Sequence, residues 1–193
     1  NHNVGKRAFG TYFGPSPGAY NITELMEPIN YQTNNIELGA QYAKNGWSIG
    51  FNYAGSFFHN SVSTLIWDNP IHATVPAGGT GNCVDQAIYN NSTGTGPCRG
   101  RLDLYPSNQA HTITLTGTAE LPAKTRFFGT FSYGWMLQND SFLPFTINSA
   151  ITQPSISASS LAGNVQPLMI NATMVNSAIE RLNLKAYYRF FNV

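Results

Sequence analysis

Trp47-Ser-Ile-Gly-Phe-Asn-Tyr-Ala-Gly-Ser-Phe-Phe-His-Asn-Ser-Val-Ser-Thr-Leu-Ile-Trp-Asp-Asn-Pro70 is the stretch on which the fold turns. Its first half alternates large apolar residues (Trp47, Ile49, Phe51, Tyr53, Phe57) with small or polar ones (Ser48, Gly50, Asn52, Ala54, Ser56). That is the period of a strand with one apolar and one polar face. A strand in a soluble sandwich runs to about five or six residues. This alternation holds for about eleven, the length that crosses a bilayer when tilted.

The same pattern recurs on either side. Ile36, Leu38, Ala40 and Tyr42 alternate with Glu37, Gly39, Gln41 and Ala43, and Lys44-Asn45-Gly46 supplies a tight hairpin turn into Trp47. Ile113, Leu115, Gly117, Ala119 and Leu121 alternate with threonines and Glu120. After a turn at 121–125 the chain returns with Phe127, Gly129, Phe131, Tyr133, Trp135 and Leu137 on one face. Arg126, Thr130, Ser132, Gly134 and Gln138 lie on the other, where Phe128 and Met136 break the pattern. A last pair sets Leu168, Ile170, Ala172 and Met174, then Leu182, Leu184, Ala186, Tyr188 and Phe190, against Asn183, Lys185, Tyr187 and Arg189, with a turn at 176–181.

Composition narrows the class. Charged residues make up 10% of the chain, against about 25% in an average soluble domain. The formal net charge of +1 gives no reason to expect nucleic acid or an acidic substrate. No apolar run is long enough for a transmembrane helix, which leaves a barrel as the spanning structure. The first residues have no apolar core or cleavage site of an export signal, and Leu184–Val193 stops within an alternating strand. Both ends are therefore expected to be cut from a longer protein.

The expected fold is all-β: an antiparallel up-and-down meander forming part of a large transmembrane outer-membrane β-barrel. Residues 1–193 are expected to be a single partial segment of six strands, with a weaker seventh near Ala8–Phe13. Gly14–Gly18 and Glu27-Pro-Ile-Asn30 read as loop, and longer loops are expected near 59–108 and 139–164. The three short turns share one side, as periplasmic turns do in such barrels, and the long loops share the other. Phe51, Ile113, Leu115, Phe131, Ile170 and Leu184 are expected to face lipid. Asn52, Thr114, Ser132, Asn171 and Lys185 are expected to face the lumen, together with Glu37, Glu120 and Arg189. Tyr42, Trp47, Tyr53, Phe57, Tyr133, Trp135, Tyr188 and Phe190 suit an interfacial aromatic girdle.

No catalytic, metal or cofactor site emerges, so no enzyme is expected. Cys83 and Cys98 bracket a Gly- and Asn-rich loop and are expected to form a disulfide if the chain is exported. A metal site from these cysteines with His72 is the alternative. Neither cysteine has the Cys-x-x-Cys-His context of haem attachment. His2, His59, His72 and His111 are scattered, and His111 near Ser107 and Thr112 is the nearest approach to a nucleophile and base. Gly78–Gly81 lacks the lysine of a phosphate loop. Sequons at Asn21, Asn91 and Asn171 are what chance gives in an Asn-rich chain.

Several blocks in order resemble the MtrB/PioB family of outer-membrane barrels: Glu27–Thr33, Trp47–Phe57 with His59-Asn60, Ser63–Pro70, Leu102–His111, Leu121–Arg126, Met136–Asn148 and Leu184–Phe191. The resemblance implies a bacterial outer-membrane barrel of about two dozen strands that sheathes a periplasmic multihaem c-type cytochrome. The chain would be roughly a quarter to a third of such a wall. Haem c would sit in the partner and none in this chain, an extracellular multihaem cytochrome would be a further partner, and Glu37, Glu120, Lys185 and Arg189 would contact the enclosed cytochrome. A Cys-x-x-Cys near the mature amino terminus, common in the family, is absent from this stretch. Two rival readings stand beside it: a water-filled porin for small solutes, and a soluble β-sandwich that binds surfaces.

Overall fold

In the computed structural model of the chain, residues 1–12, 22–68, 99–144 and 155–193 are described. They form ten strands: β1 (His2–Tyr12), β2 (Ile22–Lys44), β3 (Trp47–Asn60), β4 (Thr64–Asp68), β5 (Arg99–Asp103), β6 (Asn108–Leu121), β7 (Thr125–Gln138), β8 (Gly163–Val165), β9 (Leu168–Asn176) and β10 (Leu184–Asn192). The main sheet runs β1-β2-β3-β6-β7-β9-β10, with β8 added beside β7. β4 and β5 pair separately, within the stretch read from sequence as one long loop. The described residues include no helix. An antiparallel meander of this kind is what the alternation anticipates.

The chain divides into two compact units. The wall unit comprises residues 33–58, 107–140 and 162–193. It is one layer of strands, and its only buried residues among those described are Gly55 and Gly134. A sandwich would bury one face of each strand under a second sheet; here both faces are open along their length. The other unit comprises residues 1–32, 59–106 and 141–161 and contains β1, the start of β2, and the β4–β5 pair. Leu65 and Leu104, the buried hydrophobic residues among those described, belong to it.

Register in the wall unit is continuous. Phe51 lies opposite Leu115, Leu115 opposite Phe131, Phe131 opposite Ile170, and Ile170 opposite Phe190. Directly opposed residues share a face, so a single apolar row crosses five strands. The turns fix this register at one end. Gly46 takes φ 84°, the left-handed conformation that glycine enters without a Cβ penalty, and its carbonyl accepts from the Glu120 amide at 2.6 Å. Asn176 Nδ2 donates to the Ala123 carbonyl at 3.1 Å and to Thr125 Oγ1 at 2.6 Å. The Ser177 amide donates to the Lys124 carbonyl at 3.2 Å.

One contact makes the register testable. Gly50 lies opposite Thr116, and a Cβ at Gly50 would stand 2.6 Å from Thr116 Oγ1. Thr116 is β-branched and has little rotameric freedom to withdraw. Gly50→Ala should therefore cost about 1–3 kcal/mol in urea unfolding of the detergent-solubilised barrel. Adding Thr116→Ala should recover most of it. If the double variant is as unstable as Gly50→Ala, the pairing is wrong.

Candidate functional site

The wall's polar face is the surface on which a binding function would be built. Its rows follow from the pairings already given. Nearest the short turns, Glu120 opposes Arg126, Arg126 opposes Val175, and Val175 opposes Lys185. Next comes Ser48-Thr118-Phe128-Thr173-Tyr187, then Gly50-Thr116-Thr130-Asn171-Arg189, then Asn52-Thr114-Ser132-Met169-Phe191. Hydroxyls and amides within these rows bond to one another: Ser48 Oγ to Thr118 Oγ1 at 2.7 Å, Thr114 Oγ1 to Ser132 Oγ at 3.3 Å, and Tyr187 Oη donating to Asn171 Oδ1 at 3.3 Å. The Arg126–Glu120 pair is long at 3.8 Å and exposed, so it contributes little.

The character of this face changes across the sheet. Over β2, β3 and β6 it is small, and Gly39, Gln41, Gly50, Asn52, Thr114 and Thr116 line a shallow hollow. Over β7, β9 and β10 it is large. Phe128, Met136, Tyr187 and Phe191 are 45%, 47%, 61% and 60% exposed, with Met169 and Arg189 in the adjoining rows. The two residues that broke the alternation in sequence, Phe128 and Met136, thus belong to a larger set. Phe191 belongs to it as well, and the odd positions of β10 were the available signal.

The apolar face carries Ile49, Phe51, Leu115, Phe131 and Ile170 between two aromatic bands. Tyr42 and Trp47 meet at 5.4 Å near the short turns. At the far end, the His111 ring stacks on Trp135 at 5.0 Å and meets Phe57 edge-on at 5.3 Å. Tyr53 Oη lies 2.8 Å from His111 Nδ1. Trp47 to Phe57 is ten positions along β3, roughly 33 Å, which at about 40° of tilt is roughly 25 Å of apolar height. His111 opposes Gly55 and Trp135, which places it in an aromatic band. Extending the 113–121 alternation two residues back gives the same assignment.

The residues expected to face lipid divide as follows. Phe51, Leu115, Phe131 and Ile170 share one row, Ile113 lies opposite Tyr53 and Tyr133, and Leu184 lies opposite Asn176 at the margin near the turns. Glu120 and Lys185 share the row nearest the turns, and Arg189 stands four positions further along β10. Glu37 is on β2, away from that row. Cys83, Cys98, His72 and the sequons at Asn21 and Asn91 lie outside the described residues. Among the described residues, no three His, Cys, Asp or Glu side chains come together as a metal site.

Comparison with known proteins places these faces in context. A family model described as "Putative outer membrane beta-barrel porin, MtrB/PioB" matches residues 1–192. The chain is also 30% identical over 112 residues to the outer membrane protein MtrB of Shewanella baltica (strain OS185). That match covers 58% of this chain and 12% of the Shewanella protein, so the chain corresponds to a minor part of a much longer relative.

The block Glu27-Pro-Ile-Asn-Tyr31 belongs to the other unit and is strand where its composition reads as loop. Pro28 sits opposite Lys6 in extended backbone, and Glu27 sits opposite Arg7. The Glu27 side chain is 2% exposed. It accepts from Arg7 Nη2 at 2.7 and 2.9 Å, from Arg7 Nε at 3.1 Å, and from Tyr31 Oη at 3.2 Å. Arg7 also lies over the Tyr105 ring at 5.5 Å and donates to its hydroxyl at 3.3 Å. Asn60 Nδ2 donates to the Tyr105 carbonyl at 2.9 Å, so four separate segments meet at this cluster. Burial, reinforced by the hydrogen bond to Glu27, raises the Tyr31 phenol above its ordinary value of 10.0. The folded state thus favours the neutral phenol, and its contribution is complete below pH 10.0 and lost as pH rises through the raised value. In a tyrosinate absorbance titration, Tyr31→Phe should remove a phenol that ionises late. Loss of one with an ordinary midpoint would contradict the cluster.

Proposed function

This chain belongs to the MtrB/PioB family of outer-membrane β-barrels, and from that premise we propose that the complete barrel sheathes a multihaem c-type cytochrome and so forms an electron conduit across the bacterial outer membrane. The observation that carries this reading is the large side chains on the polar face. Phe128, Met136, Met169, Tyr187, Phe191 and Arg189 are of the types enriched where proteins meet proteins, namely aromatics, Met and Arg. A wall lining bulk water gains nothing from exposing them. Covered by a folded partner, each fully buried Phe or Met would contribute roughly 1.5–3 kcal/mol.

In this reading the chain does no redox chemistry. The partner brings the haem, consistent with two cysteines that lie outside any Cys-x-x-Cys-His context. The wall's tasks are to exclude lipid, supply hydrogen-bonding Thr, Ser and Asn to a soluble surface, and hold that surface in one orientation. Glu37, Glu120, Lys185 and Arg189 serve as polar contacts around the apolar ones. The hollow over β2, β3 and β6 favours a second reading, a water-filled porin, because Gly, Thr, Asn and Gln make up most of its lining, with Ala40 and Phe51 the apolar members.

Two measurements check the proposal. In the full-length barrel, Leu115→Arg should cost about 2–4 kcal/mol of stability in the membrane and Thr114→Arg much less; equal losses would refute the assignment of faces. The barrel purified from outer membranes should carry a haem-staining cytochrome, and Phe128→Ser with Phe191→Ser should weaken its retention while the barrel still inserts. A barrel that purifies without haem protein and conducts small solutes in planar bilayers would replace the sheath with the porin.

A further inference from the structure

The wall unit's charges are not spread evenly along its strands. It contains Lys44, Lys124, Arg126, Arg181, Lys185 and Arg189 against Glu37, Glu120, Asp140 and Glu180. Five of the six cations lie in the short turns or at the strand positions beside them, with two carboxylates, Glu120 and Glu180. That end carries five positive and two negative charges, a net +3, while Glu37 and Asp140 lie away from it. The nearby pairs do not cancel this charge. Arg126–Glu120 at 3.8 Å and Arg181–Glu180 at 3.9 Å are long, and their side chains are 67–92% exposed. Exposed pairs of this kind hold their partners weakly and are screened by salt.

We propose that this short-turn rim is a docking surface for an acidic soluble protein at the periplasmic mouth of the barrel. The proposal rests on the outer-membrane reading for its orientation, since short turns face the periplasm in such barrels. Anionic lipid headgroups are the competing occupant, and the placement of the cations disfavours them. Arg126 and Lys185 share a cross-strand row on the polar face, turned from lipid. Lys124 and Arg181 stand in the turns, with Arg181 92% exposed. Lys44 alone continues the apolar face, where a lysine snorkels to headgroups. A net positive rim speeds encounter with an oppositely charged partner and leaves the complex easily dissociated. Transient delivery to the barrel needs both properties.

The test uses the full-length barrel, with any protein it retains, in discs of neutral lipid. Poly-L-glutamate is the soluble probe and phosphatidylglycerol vesicles are the lipid probe. Poly-L-glutamate should bind at low salt and weaken as salt approaches about 0.15 M, where the screening length is about 8 Å. Arg126→Glu with Lys185→Glu should weaken it roughly tenfold. Lys124→Gln with Arg181→Gln, in turns where folding is least at risk, should weaken it several-fold. Unchanged binding in both pairs would overturn the proposal. So would a barrel that prefers the vesicles and loses them on Lys44→Glu, which would make the rim a lipid anchor. If poly-L-glutamate binds as expected but no haem protein co-purifies, the sheath reading fails and the docking rim stands.

Discussion

Hydrocarbon offers no hydrogen bond to a peptide group, and that deficit organises the wall. Each backbone N–H and C=O that faces lipid must find its partner on a neighbouring strand. Strands in a meander meet this demand with short turns, and the pairing then dictates which side chains share a face. Once Phe51, Leu115, Phe131, Ile170 and Phe190 are in one row, every other position in the sheet is assigned by parity. The wall therefore needs no buried core. Large apolar residues accordingly stand open on the wall instead of packing into a core.

Much of this was legible in the residues themselves. The alternation at 36–42, 47–57, 113–121 and 127–137 required no tertiary information, because period two survives wherever the two faces meet different solvents. Asn45-Gly46 announced its turn for the reason that appears in the structure, a left-handed residue between two strands. Legibility failed where one local signal outweighed its context. Pro28 lacks an N–H and suggested a loop, yet its restricted φ fits extended backbone and its loss to the ladder is one hydrogen bond. The buried partnership of Glu27 with Arg7 joins residues twenty positions apart, and no local pattern encodes that distance.

The polar face teaches a different lesson. Phe128 and Met136 look like errors when each strand is read alone. Across the register, Phe128 shares a row with Tyr187, and Met169 lies between Ser132 and Phe191. Met136 stands eight positions from Phe128 along β7, opposite Ala110 and Val165, so the departures follow the strand's polar face instead of forming one cluster. The sequence could supply the departures but not their neighbours, because adjacency across β7, β9 and β10 depends on pairings set by turns and loops between them. His111 shows the complementary case. Read alone it was a scattered histidine with no assigned role, and judged by parity it belongs with Trp135 and Phe57 in a band of amphipathic side chains.

The separation of the two aromatic bands has a consequence for where such a wall can reside. Paired strands cannot change their tilt singly as a helix can, since each is locked to two neighbours by its ladder. Such a sheet cannot readily adjust its apolar height, which is roughly 25 Å for a tilt of about 40°. In a bilayer whose hydrocarbon is thicker, the lipid must compress around the wall, at a modest cost for each ångström of mismatch. The outer membrane, thinner than average, needs little such compression. Trp47 and Phe57 thus mark the margins of that height, which a thin bilayer would match most readily.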